Sequence, residues 1–176
     1  MNSFIDSKEY EDLSREELLG LLEDASLNWL THDGLWFQSV EEKFGTDAAR
    51  SCNEKAVAKY SELEAKRIMR RFNLPTNGGI PALMQAMKFR MYHLINRQDF
   101  IEVSENRCIF RMRECRVQRA RSRKGLPDYP CKSVGIQEYS HFAMAIDPRI
   151  RTRCIACPPD EHPDDFWCAW EFVLEE

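Results

Sequence analysis

Ile150-Arg-Thr-Arg-Cys-Ile-Ala156 and Phe166-Trp-Cys-Ala-Trp-Glu-Phe-Val-Leu174 decide the fold. In the second stretch Phe166, Cys168, Trp170, Phe172 and Leu174 recur every second residue, which puts all five on one face of a strand. The first stretch alternates in the same way. The polar, proline-bearing connection Pro158-Pro-Asp-Glu-His-Pro163 lets the two strands pair as a hairpin. Upstream, Ile136, Tyr139, Ala143 and Ile146 predict a helix over residues 131–146, closed by Asp147-Pro148. Further back, Ile101 and Val103, then Phe110 and Met112, alternate with polar residues around a turn at Glu105-Asn106. These predict a second strand pair.

The chain before Gln98 reads as four helices. Ser14-Arg-Glu-Glu17 is a capping box followed by Leu18, Leu21, Leu22, Ala25 and Trp29 at helical spacing. Asp33 suits the N-cap of a second helix burying Trp36, Phe37, Val40 and Phe44 and ending at Gly45. A third carries Cys52, Ala56, Tyr60, Leu63 and Phe72. A fourth starts at Pro81 and carries Leu83, Met87, Met91 and Leu94. The expected class is therefore α+β: N-terminal helices packed on a four-stranded antiparallel sheet, with one helix inserted between the two strand pairs. One domain is expected over residues 1–176, helical over residues 1–97 and sheet-forming over residues 98–176.

The composition is that of an ordinary globular chain, with 43% hydrophobic and 11% aromatic residues. The net charge of -4 offers no global attraction to nucleic acid or acidic lipid, so neither is an expected partner. The basic stretch from Arg107 to Lys124 lacks aromatic interleaving; Arg119 to Lys124 read as a solvated edge, while strand parity would turn Glu114, Arg116 and Gln118 inward, where Arg116 could line an anion pocket. The start is acidic without an apolar core, and no apolar run approaches a bilayer span of about 20 residues. The expectation is a cytoplasmic protein.

In a reducing compartment, seven cysteines, only Cys52 of them before residue 100, point to metal or redox chemistry. Cys154-Ile-Ala-Cys157 has the spacing by which two thiolates take one tetrahedral ion from a tight turn. Cys168 returns on the next strand, and Cys131 opens a helix whose N-terminus favours a thiolate. Zinc on Cys131, Cys154, Cys157 and Cys168 is the expected cofactor, with iron the alternative. Cys131 and Cys168 as small core residues, or a redox dithiol at Cys154 and Cys157, remain the competing readings.

This cysteine arrangement, with its hairpin, resembles the 4-vinyl reductase type of ligand-binding domain found in phenol-sensing bacterial regulators. There a zinc is held at matching positions, with a glutamate where this chain has Cys154. The resemblance covers roughly residues 80–176 and implies a ligand-binding fold. Nearly the full length also resembles an uncharacterised family of small prokaryotic cytosolic proteins. The matching stretches are Trp29-Leu-Thr-His-Asp-Gly-Leu-Trp36, Cys115-Arg-Val-Gln118, Arg123-Lys-Gly-Leu126, and Asp147-Pro-Arg-Ile150 through Cys157-Pro-Pro-Asp160. That family is similar to L-2-amino-thiazoline-4-carboxylate hydrolase.

Two functions follow as expectations. The first is a zinc-stabilised module that binds a small anionic or aromatic molecule between helices and sheet, alone or as a homodimer. Arg90 and Arg116 would anchor the ligand and Trp29 or Trp36 would wall it. The second is a hydrolase of a C–N bond in a small cyclic amidine carboxylate, using Cys115 as nucleophile or His32 and Asp33 as acid–base groups. Asp33 as a plain helix cap is the simpler alternative. His141 and Glu138 share a helix face and read as a surface pair, or else as a contact around the metal, and His162 in the proline loop could replace Cys131 as a ligand.

Overall fold

The computed structural model describes residues 5–176. A short 3-10 turn, Ser7–Tyr10, precedes α1 (Arg15–Phe44) and α2 (Thr46–Phe72), then α3 (Gly79–Met87) and α4 (Met91–Ile95). β1 (Arg97–Ile101) and β2 (Arg107–Glu114) follow, then α5 (Arg116–Arg123), α6 (Lys132–Ile146), β3 (Ile150–Ala156) and β4 (Cys168–Leu174). The strands form one antiparallel sheet in the order β1-β2-β4-β3. The class is α+β, as the alternation implied.

The hairpin strands fall within two residues of their expected bounds, because alternation with a buried face fixes register. Phe110 pairs with Trp170, and Cys108 with Phe172. These side chains, with Met112 and Ile150, meet α3 and α6 in the core. The opposite face carries ion pairs: Arg107 and Arg153 share Glu171, and Arg111 and Arg113 share Asp99. Arg107, Arg111 and Arg113 of the basic stretch are thus neutralised strand to strand, which discourages edge pairing and nucleic-acid contact together.

Two glycines set close contacts. Gly79 (φ 61) turns the chain into α3 and donates its amide to the buried Asp147 carboxylate at 3.1 Å. Asp147 also accepts from Arg149, whose guanidinium holds that carboxyl below the usual range. Gly135 brings α6 against the sheet, since a Cβ there would lie 2.6 Å from Trp170 Cζ2.

The helical half differs from expectation in three places. The break expected at Asp33 is absent: α1 runs unbroken, so Asp33 is a helix-interior residue and caps nothing. One interior glycine, Gly34, costs only about 1 kcal/mol, less than leaving two helix ends to be capped. Leu18, Leu21, Leu22 and Trp36 on α1 are exposed, as are Cys52, Leu63 and Phe72 on α2. The stripe of α2 that is buried instead is Ala49, Ser61, Glu64, Ala65, Ile68 and Met69. Finally, the helix expected from Pro81 to Leu94 is two, with Arg90 extended between them. Beyond Glu114 the chain turns into α5, so Arg116 and Gln118 do not continue a strand.

Candidate functional site

A cavity of about 650 Å³ lies between the middle of α1, the short α5, and the underside formed by α6 and the sheet. Leu27, Leu30 and Phe37 line it from α1, Met112 and Trp170 from the sheet, and Val134 from α6. The walls are mainly apolar with a few polar groups, the usual make-up of a small-molecule site, and the volume suits one. Gly34 lines it too, and nothing lies within 4 Å of where its Cβ would stand. Across the mouth, α5 is held by Gln118, which donates to Tyr129 O and accepts from Tyr129 N at 2.9 Å each.

The polar groups divide by depth. Asp33 and Glu138 line the cavity wall. Burial raises the carboxyl of each above its ordinary range, against the pull of His32 on Asp33 and of Arg90 on Glu138. Arg116, Arg121, Arg123 and Lys124 come from α5 at the mouth. Arg116 donates to Ile95 O and Arg121 to Pro127 O.

Arg90 is not among the lining residues. Its guanidinium is buried behind the wall, 2.8 Å from Glu64 and 2.8 Å from Glu138, with the ring of Phe142 beneath it. Those carboxylates overcome its desolvation and hold its charge firmly. It therefore anchors no ligand anion: the chain supplies its own counter-ions. Glu138, expected as a surface partner of His141, is this buried counter-ion, while His141 contacts Gln137 O. Nor does Trp36 wall the site, for it is 66% exposed on the far side of α1.

Of the catalytic candidates, Cys115 and Asp33 line the cavity and His32 does not. Burial pushes the Cys115 thiol up to about 12, which leaves almost no thiolate at neutral pH. His32 is exposed. The described residues present no nucleophile paired with a base.

Three of the four expected metal ligands gather at the inner end. Cys131 and Cys157 have their sulfurs 3.5 Å apart, and Cys131 and then Cys168 lie near enough to raise the Cys157 thiol above its ordinary range. Hydrogen bonds from Cys157 and Gln118 hold the Cys131 thiol below its ordinary range. Cys154 sits on β3 opposite Trp170, outside that bonded group, and burial pushes its thiol up to about 11. Among the described residues, no three His, Cys, Asp or Glu side chains are arranged to chelate an ion as they stand. The donor types nonetheless suit zinc, and a tetrahedral site with Zn–S of about 2.3 Å separates its sulfurs by about 3.8 Å. Cys131 and Cys157 stand close to that.

Periodicity could not find Tyr92, Gly34 and Glu138 as site residues. They meet only through the packing of α1, α4 and α6 around the cavity.

In fold the chain is similar to the phenol-responsive sensory domain of the transcription activator PoxR, solved with phenol. The TM-score is 0.56 at 14% identity, over 80% of this chain and 72% of that one. No curated protein matches the chain at a significant level. No helix of the described residues is long and apolar enough to cross a membrane. A family profile matches residues 10–174, and the chain belongs to that family, the family of unknown function DUF6125.

Proposed function

We propose that this protein binds a small aromatic molecule in the cavity beneath α1 and α5. The observation that carries the reading is the cavity itself: about 650 Å³ of mainly apolar space open to solvent on one side, with few polar anchors. The likeness in fold to a sensory domain solved with phenol supports it. Gly34 supplies the test. Leucine there fills cavity space without a backbone clash and improves helix propensity by up to about 1 kcal/mol. Gly34→Leu is expected to fold at least as stably as wild type while losing the calorimetric binding of phenol and simple uncharged aromatics. Undiminished binding in that variant, or no binding of the panel to wild type, refutes the reading.

The same reading includes a structural zinc, with iron the alternative, on Cys131, Cys154, Cys157 and Cys168. What supports it is the gathering of three of these sulfurs where α6, β3 and β4 meet. Filling all four positions with protein would make the ion a cross-link and not a catalyst. Cys154 would have to swing toward the others. Protein purified without added metal should carry about one zinc per chain, and chelation should lower the melting temperature. Elemental analysis showing neither metal, with the thiols freely titrating, counts against it.

A further inference from the structure

We infer that the ligand carries a positive charge: the cavity is built for a small aromatic ammonium compound, its ammonium held between Asp33 and Glu138. The inference rests on the reading of the cavity as a binding site and adds the chemical class of its occupant.

Four carboxylates lie in or directly behind the wall: Glu41, which accepts from the Thr46 hydroxyl, and Asp33, Glu64 and Glu138, among which the buried cation is Arg90. Arg90 serves both Glu64 and Glu138, so that triad holds one negative charge too many. Asp33 adds a second, and its carboxylate has no hydrogen-bonding or ion-pairing partner among the described residues. Its nearest opposing influence is His32 on the exposed side of the helix. Burying unpaired charge is costly, so a site that keeps two surplus carboxylates beside an apolar cavity awaits a cation. The cations of α5 do not serve. Arg116, Arg123 and Lys124 are at the mouth, and Arg121 is bonded to Pro127.

A second observation also points to an occupant. Trp170 lines the same cavity and is fully buried, yet its indole N–H has no acceptor among the described residues. A buried donor of this kind is normally paired. An oxygen on the ligand would satisfy it. Ammonium at one end, aromatic body, and oxygen at the other describe a hydroxyaryl amine. Aromatic walls are at hand for the ring in Tyr92, Tyr129 and Phe37. An anionic ligand, by contrast, would meet like charge at the wall.

The experiment uses three compounds of one shape: tyramine (ammonium), tyrosol (neutral hydroxyl) and 3-(4-hydroxyphenyl)propanoate (anion). Calorimetric titration of the full chain should give tyramine the tightest binding, at least about tenfold tighter than tyrosol, with the propanoate weakest. Gly34→Leu should abolish tyramine binding, which excludes a general attraction to an acidic surface. Asp33→Asn disturbs no side-chain bond among the described residues and should bring tyramine to within about threefold of tyrosol, leaving tyrosol unchanged. Glu138→Gln should narrow the preference in the same direction. Equal binding of tyramine and tyrosol overturns the inference, as does a preference for the propanoate. So does a preference that survives Asp33→Asn, or failure of all three compounds to bind. If tyrosol binds as well as tyramine and Gly34→Leu abolishes both, only the charge inference falls and the cavity reading stands.

Discussion

Trp170→Ala is expected to destabilise the protein by about 3–5 kcal/mol, the range for deleting a large aromatic from a core. Trp170 is fully buried on β4, packs on Tyr139 at 4.9 Å between ring centroids, and pairs across the sheet with Phe110 and Cys154. Its six-membered ring also lies under Gly135, where a Cβ would come within 2.6 Å of Cζ2. That contact gives the prediction a second arm. Gly135→Ala alone overpacks the interface and should cost about 1–3 kcal/mol despite its better helix propensity. In the Trp170→Ala background the same change finds open space and should be neutral or stabilising by up to about 1 kcal/mol. Urea unfolding of the four proteins measures the coupling, expected at about 1–3 kcal/mol. Strict additivity, or a loss under about 1 kcal/mol for Trp170→Ala alone, would mean that the tryptophan does not seat α6 on the sheet.

The same tryptophan shows what could be read in advance. Its strand was legible because period-two alternation and a buried face imply each other: a slip of one residue would turn Phe166, Cys168, Trp170 and Phe172 outward together. The helical half carried no such constraint. Asp33-Gly34 has the local chemistry of a helix break, and propensity alone argues for one. Yet the glycine costs little inside a 30-residue helix, and its missing side chain leaves the cavity open. A space between helices is not a property of any one segment, so no periodicity announces it. The leucines of α1 misled for a related reason. Helical spacing marks a possible buried face, but Leu18, Leu21 and Leu22 have no neighbour within the described chain to cover them. The cysteines lie between these cases. The sulfurs of Cys131 and Cys157 lie 3.5 Å apart, while the reach of Cys154 depends on a strand irregularity beside Ala156 that spacing does not encode.

Arg90→Met should cost about 3–5 kcal/mol at neutral pH, the penalty for leaving buried carboxylates without their counter-ion. Arg90 is 2% exposed, and its loss strands Glu64 and Glu138 together in the core. Glu64 keeps two other donors, the Met91 amide at 3.2 Å and the Tyr60 hydroxyl at 3.1 Å. Glu138 keeps nothing comparable, so the penalty falls mainly on it. Its carboxyl already sits above the ordinary value because burial outweighs the attraction of Arg90. Removing Arg90 raises it further. An acid whose pKa is higher folded than unfolded binds more protons in the native state, so stability falls as pH rises between the two values. The defect of Arg90→Met should therefore be largest at neutral pH and shrink as pH falls toward the unfolded value of 4.5. Asp99, Asp147 and Glu171, whose carboxyls are depressed by arginine hydrogen bonds, lose stability over the acid range in both proteins and cancel in the comparison. Arg90→Met combined with Glu138→Gln should recover more than half of the loss, since a neutral amide needs no counter-ion. Denaturant unfolding of the variants followed from neutral pH down toward the unfolded carboxylate value decides it. A defect independent of pH and untouched by Glu138→Gln would assign the role of Arg90 to packing against Phe142 instead of to charge.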